Sequence, residues 1–370
     1  MKKILYLIFL FFAPFLFIGC NRNQDEPEAP ARRTILVYMA AKNSLAGFDA
    51  SDIGEMLRAN IPSGCRLLVF RSPRGAAPQL YEISKGELKS LKIYDDTVIG
   101  ADSETLIQVL ADARSMVNSR QWGVVFWSHS TGWKGAVKAP ASSRTFGYET
   151  GGYEIELTDL ADALRSVPPL EFLFFDSCYM GGVEVAYELR DCARYFVASP
   201  CEVPMSGMPY DLTLPSLFDS NTREGLKRAV DINVDYYLDS PNERCPSTMA
   251  LIDLSKMDAL ARASKGAYAR SHAPLDTPQQ LSLSTVYKNL FVDFEDFVLL
   301  TADEADDLAG VRQALSEAVV HERHTSLLWG DVPLLNMCGL SVNPQPFNPD
   351  YNYQNLSWFK DVILPYGFED

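Results

Sequence analysis

Short apolar runs alternate along most of the chain with segments whose apolar residues recur every three or four positions. Thr34–Ala41, Arg66–Phe70, Gly123–Trp127, Leu170–Phe175 and Tyr195–Ala198 have strand length and few polar interruptions, the pattern of strands covered on both faces. Between them, Phe48–Asn60 sets Ile53, Met56 and Leu57 at helical spacing. Ser103–Asn118 puts Leu106, Val109, Leu110, Ala113 and Val117 on one face behind a Ser103 N-cap, and Glu156–Val167 and Gly182–Leu189 read as further helices. Gln79–Ile83 and Glu87–Ile93 alternate around Ser84-Lys85-Gly86 as a hairpin does. Strands joined by amphipathic helices predict an α/β sandwich: a mostly parallel central sheet with helices on both faces. Further on, Thr222–Asp239, Met257–Arg270, Leu283–Phe291, Asp293–Leu300 and Leu308–His321 read as helices, with strands at Thr248–Leu254 and Gly339–Val342. The carboxyl-terminal part is therefore expected to be mainly helical.

The first residues stand outside this pattern. Met1-Lys2-Lys3 is basic, Ile4–Gly19 is almost wholly apolar, and Cys20 follows. The run is shorter than the ~20 residues of a spanning helix and fits a signal peptide over residues 1–19. Phe17-Ile18-Gly19-Cys20 resembles a bacterial lipobox, with Phe17 where Leu is usual, which implies lipidation of Cys20; the alternative is an ordinary cleaved signal with Cys20 incidental. Residues 20–32 then form a polar, Pro-containing tether, and 33–370 the folded domain. Gln24-Asp25-Glu26 resembles the acidic signals of surface-exported lipoproteins. The expected location is the bacterial cell envelope, with a lipid anchor in the membrane on its periplasmic or outer side.

Composition narrows the function. With 33 Lys and Arg against 48 Asp and Glu, the formal charge of −15 repels nucleic acid at long range, so no nucleic-acid partner is expected. Four histidines and seven cysteines stand in no zinc-ligand spacing, so neither metal nor cofactor is called for. Besides Cys20, the cysteines are 65, 178, 192, 201, 245 and 338, and their spacing specifies no disulfide framework. Nothing asks for a second copy, and a monomer is expected.

The candidate chemistry lies just past two strands. His129 follows the Gly123–Trp127 run in WGVVFWSHSTGW, and Cys178 follows Leu170–Phe175 in LFFDSCYMGG. In open parallel sheets ligand sites gather at the carboxyl ends of strands. A thiol and an imidazole there make a nucleophile and its base, with the backbone N–H groups of Ser130 and Cys178 available to an oxyanion. Taken singly, each residue reads as structural: a small buried thiol, a hydrogen-bonded histidine. The pair is what raises the chemical reading.

At these residues the chain resembles a family. Residues 123–133, GVVFWSHSTGW, and 174–189, FFDSCYMGGVEVAYEL, are similar to the His and Cys elements of the clostripain-like cysteine peptidases, relatives of caspases, legumains and gingipains. Residues 35–56 and 197–211 resemble the family's amino-terminal and fifth-strand elements. The separation 178 − 129 = 49 also matches the spacing of about 50 known from caspases. The resemblance implies a caspase-like αβα fold, a Cys178/His129 dyad, protein or peptide substrates and cleavage after Arg or Lys. Asp176 would then bind the cation of the residue before the cut (P1); its other reading is an N-cap or turn residue for the following helix. The chain departs from the family at Ser130, where Gly is usual, and at Gly207-Met208-Pro209-Tyr210, which lacks a second acidic residue that Glu202 or Asp211 would have to replace. Residues 134–152, with Lys134, Lys138 and Arg144, have the composition of a loop open to self-cleavage. Two other readings stand beside the peptidase: a lipid-anchored binding protein of this fold without turnover, and a Cys-dependent acyl transferase.

Overall fold

The computed structural model describes residues 29–134, 145–239, 246–268, 278–282, 289–302, 305–345 and 352–364. The signal peptide, Cys20, Cys245, Lys138, Arg144 and the start of the expected helix at Leu283 fall outside these residues. The first half contains β1 (Arg33–Ala41), α1 (Phe48–Arg58), β2 (Cys65–Pro73), β3 (Gln79–Ser84), β4 (Glu87–Ile93), α2 (Ser103–Met116), β5 (Trp122–Trp127), β6 (Phe146–Glu149), β7 (Tyr153–Ile155), α3 (Leu157–Arg165) and β8 (Leu170–Asp176). There follow α4 (Val183–Glu188), β9 (Ala193–Ala198), α5 (Tyr210–Leu217), α6 (Thr222–Leu238), β10 (Thr248–Asp253), α7 (Met257–Tyr268), β11 (Val292–Asp293), α8 (Phe294–Thr301) and α9 (Ala305–Ala318). Four short strands close the series: β12 (Val319–His324), β13 (Leu327–Leu328), β14 (Val332–Pro333) and β15 (Ser341–Val342).

Among the described residues the main sheet runs β12-β10-β9-β8-β5-β1-β2-β3-β4. Its five central strands are parallel, and the two at each edge are antiparallel. Alternate residues of the central strands feed two cores. Ile35, Val37 and Met39 pack with α1, α5 and α6, whereas Leu36, Tyr38 and Ala40 pack with α2, α3, α4, α7, α8 and α9. Burial on both faces is why these strands are written as near-continuous apolar runs. The chain leaves β1 toward β2 on one side and returns to β5 on the other. That reversal opens a crevice at the carboxyl ends of β1, β5 and β8, the usual place for a ligand in such sheets.

The expected α/β sandwich is the observed one, with three corrections. The N-cap of α2 is Asp102, whose Oδ2 accepts the Thr105 N–H at 3.1 Å, and Ser103 is the first helical residue. Val319–His321 leave the helical register and open β12, which pairs antiparallel with β10. The helix expected over 283–291 is absent from its described end, where Asn289–Phe291 form a turn leading into β11. The 134–152 loop ends in the β6–β7 hairpin, and Phe146 and Glu149 of that hairpin are fully buried.

Candidate active site

β5 and β8 lie side by side with Trp127 opposite Asp176. His129 and Cys178 each stand two residues beyond that matched pair, so parallel neighbours about 4.8 Å apart deliver both to one level. Both line one cavity of about 220 Å³, with Asp176, Glu202 and Gly207. A larger cleft, about 600 Å³, lies at the opposite end of the strands beside Cys65 and Arg66. Two of its charged lining residues, Arg66 and Glu82, are joined in an ion pair.

The imidazole and the thiol at the carboxyl-end cavity are each held by a specific neighbour. Ser44, from the loop after β1, makes a 2.8 Å hydrogen bond with His129 Nε2. Asn43 ties the same loop to β5, donating to Ala40 C=O at 2.9 Å and to Ser128 Oγ at 3.2 Å. Cys178 is half-buried, and its Sγ accepts the Val203 N–H at 3.3 Å. Burial pushes the thiol up to about 12; the Glu202 and Asp176 carboxylates add to this, and the Val203 N–H opposes it. The resting sulfur is thus a neutral thiol at ordinary pH.

Ser130 keeps φ in the negative range, and its Oγ donates to the Cys178 carbonyl. Its bridge to Phe146 runs through the His129 C=O and the Thr131 N–H, so the Ser130 N–H stays out of that ladder. The side chain at the family's Gly position therefore adds a tie between the His and Cys loops without occupying the amide. The turn after Cys178 is tight: Tyr179 has φ 59, and a Cβ on Gly132 would fall 2.3 Å from the Tyr179 carbonyl oxygen. Tyr179 is fixed there by stacking on Phe291 at 4.3 Å and by a 2.6 Å bond to Ser282.

Asp176 does not cap α4, whose N-cap is Gly182. Its Oδ2 accepts the Met208 N–H and the Tyr210 hydroxyl, both at 3.0 Å. The Gly207–Tyr210 segment that lacks a second carboxylate thus wraps the first one. Gly207, at φ 60, leaves the space a Cβ would fill 2.7 Å from Asp176 Oδ2. Burial raises the Asp176 carboxyl to about 6, and Glu55 adds to the rise. Among the described residues, the groups that chiefly act on it are the Met208 N–H, the Tyr210 hydroxyl and Glu55, none of them a cation. Of the two substitutes for a second carboxylate, Glu202 lines the cavity, with Oε1 accepting from Ser282 Oγ at 3.0 Å. Asp211 lies outside the lining and pairs with Arg58 at 3.4 Å.

Sequence reasoning missed Ser44, Val203, Asp52 and Trp329. The first two act through an ordinary hydroxyl and a backbone N–H, which carry no motif. Asp52 sits behind Asp176, accepting Trp127 Nε1–H at 2.7 Å, and burial followed by the Asp176 charge raises it to about 8. A carboxyl that is harder to ionise folded than unfolded costs nothing below its ordinary pKa of 3.8, and the cost is complete above about 8. Stability should therefore fall as pH rises across that window. Asp52→Asn keeps an acceptor for Trp127 and removes the charge. At pH 9 its melting temperature is expected to exceed the wild type's by about 3 °C or more, with the gap closing toward pH 4. Parallel melting curves for the two proteins would refute this.

Trp329 reaches the cavity from the β13–β14 hairpin, with φ 53. A bulky residue in that left-handed region costs about 1–2 kcal/mol.

The family model described as the Clostripain family matches residues 37–296. Among solved structures, an inactive zymogen C11 protease from Parabacteroides distasonis superposes with a TM-score of 0.77 at 25% identity, over 90% of this chain and 99% of that one. A secreted C11 cysteine protease from Bacteroides thetaiotaomicron, solved with an irreversible peptide inhibitor, gives 0.77 at 24% identity over 90% and 98%. A B. fragilis cysteine protease gives 0.52 at 26% identity over 58% and 95%. No curated protein matches the chain.

Proposed function

The chain belongs to the clostripain family of cysteine peptidases, and from that premise we propose that it is an endopeptidase in which Cys178 attacks, His129 takes its proton and Asp176 selects a basic P1 residue. One observation carries the reading: two neighbouring strands present imidazole and thiol at one level above a buried carboxylate that, among the described residues, has no cationic partner.

The chemistry follows from the neighbours. Because the resting thiol is neutral, sulfur attacks the scissile carbonyl as its proton passes to the imidazole, whose ring Ser44 steadies. The Val203 N–H supports charge on sulfur before the bond forms. The N–H groups of Ser130 and Cys178 receive the oxyanion. The imidazolium then protonates the leaving amine, and water resolves the acyl-enzyme. Asp176, neutral in the empty site below about pH 6, ionises as a guanidinium or ammonium enters.

Self-cleavage in the 134–152 loop belongs to the same reading, supported by the zymogen form of the P. distasonis relative. Lys134 is buried, which leaves Lys138 and Arg144 as the better candidate cut sites. A lipid anchor at Cys20 rests on residues 1–20 alone; among the described residues no helix is long and apolar enough to cross a membrane. The testing experiment is cleavage of an internally quenched peptide library by the purified protein. Cuts confined to bonds after Arg and Lys are expected. A cut pattern indifferent to P1 would remove the role of Asp176, and product masses showing amine transfer would replace hydrolysis by acyl transfer.

A further inference from the structure

Trp329 and Gly330 form the centre of a tight turn, with φ 53 and 78, closed by the Asp331 N–H on the Leu328 carbonyl at 3.2 Å. Turns of this kind want Asn, Asp or Gly at the first central position, and an indole there is an outlier. Such strain persists where surrounding structure imposes it, and it gathers at ligand clamps. Here the base of the hairpin is fixed. Leu328 is fully buried, and the Leu334 N–H bonds the Ser326 carbonyl at 3.0 Å. The Leu335 N–H bonds Gln279 Oε1 at 3.1 Å.

The tip carries the half-buried indole to the wall of the cavity that holds Cys178 and His129. The same wall includes Val203, Pro204 and Met205 from the loop after β9, and Met205 is 61% exposed. A thioether left open to solvent and an indole held in a costly conformation, both lining one cavity, add little to the core. They add apolar surface to a cavity that also contains the Asp176 carboxyl. The family match ends at residue 296, so Trp329 comes from a part of the chain that match does not reach.

We propose that Trp329 is a specificity-determining residue that, with Met205, clamps an apolar side chain of the peptide substrate adjoining the P1 residue. The inference rests on the Cys178/His129 reading of the cavity. It makes the preferred substrate a peptide with a basic residue at the cut and a branched aliphatic or aromatic residue beside it. An extended strand turns successive side chains to opposite sides. A P1 side chain directed at Asp176 therefore sends its neighbour away from the floor, out to the rim of the cavity, where the exposed Met205 and half-buried Trp329 are the apolar surface on offer.

The test compares quenched peptides that share Arg at P1 and differ in one flanking residue, Leu or Ser, placed on either side of the cut. Wild type is expected to favour Leu at one of these positions by roughly tenfold in kcat/KM, mostly through KM. Trp329→Asn, which suits the left-handed turn, should bring that ratio near one, and Trp329→Phe should keep most of it. A merely structural role would slow Leu and Ser peptides alike and leave their ratio intact in Trp329→Asn, which would overturn the inference. Wild-type cleavage with no flanking preference would overturn it too, while leaving the dyad standing. No cleavage of any peptide by the wild type would overturn the dyad and the clamp together.

Discussion

Cys178→Ala is expected to lower kcat/KM on peptide substrates by at least roughly ten-thousandfold and to abolish labelling by a thiol-reactive peptidyl probe. Among the described residues no other cysteine lines the cavity. Of the described cysteines, Cys178 lines the cavity, whereas Cys192 and Cys201 are buried in the core. The fold should survive, since the lost contacts are the Val203 N–H bond to sulfur at 3.3 Å and the thiol's bond to the Val203 carbonyl at 3.7 Å, worth about 1 kcal/mol each or less. His129→Ala should cost less, roughly a hundredfold to ten-thousandfold, because solvent base can still remove the thiol proton. With that thiol pushed up to about 12, the residual rate of His129→Ala should climb with pH throughout the accessible range and reach no plateau near neutrality. A Cys178→Ala protein within tenfold of wild type would place the chemistry elsewhere.

Asp176→Asn carries the second large effect, expected to fall on selectivity. Both hydrogen bonds of the carboxylate land on Oδ2, so an asparagine Oδ1 can accept them and keep the Gly207–Tyr210 segment in place. What disappears is the charge. Facing a desolvated guanidinium, its loss should cost about 3 kcal/mol or more, roughly a hundredfold in kcat/KM for Arg at P1. Substrates with Leu at P1 should be little affected. The pH dependence gives a second measurement. Below about pH 6 the empty wild-type site holds a neutral carboxyl with less pull on a cation. The Arg-to-Leu ratio should therefore rise between pH 5 and 7 in wild type and stay flat in Asp176→Asn. A ratio unmoved by the substitution would assign the basic preference to another group, with Glu202 the next carboxylate on the cavity wall.

The outcome along the chain separates features by how local their causes are. Central strands such as β5 and β8 are covered on both faces, and their burial is written into consecutive residues. β12 is different. Its residues are half-buried throughout, and His321 and Arg323 are satisfied by Asp231 on α6. Its identity comes from pairing with β10, so its own residues continue the helical reading of the segment before it. The sequence alone puts the N-cap of α2 one position late, at Ser103, because Asp102 and Ser103 are both good caps; only backbone geometry, with Asp102 extended, chooses between them.

The sequence by itself therefore determined the layered α/β frame and the two strand ends that carry His129 and Cys178, because apolar periodicity and a polar break after it are local properties. Tertiary structure decided the rest of the site. It set the thiol's proton affinity through Val203 and burial, steadied the imidazole through Ser44, turned Gly207–Tyr210 into a cradle for Asp176, and brought Trp329 in from a distant hairpin. Each of these depends on desolvation and on contacts between residues far apart in the chain, and neither quantity exists until the chain has folded.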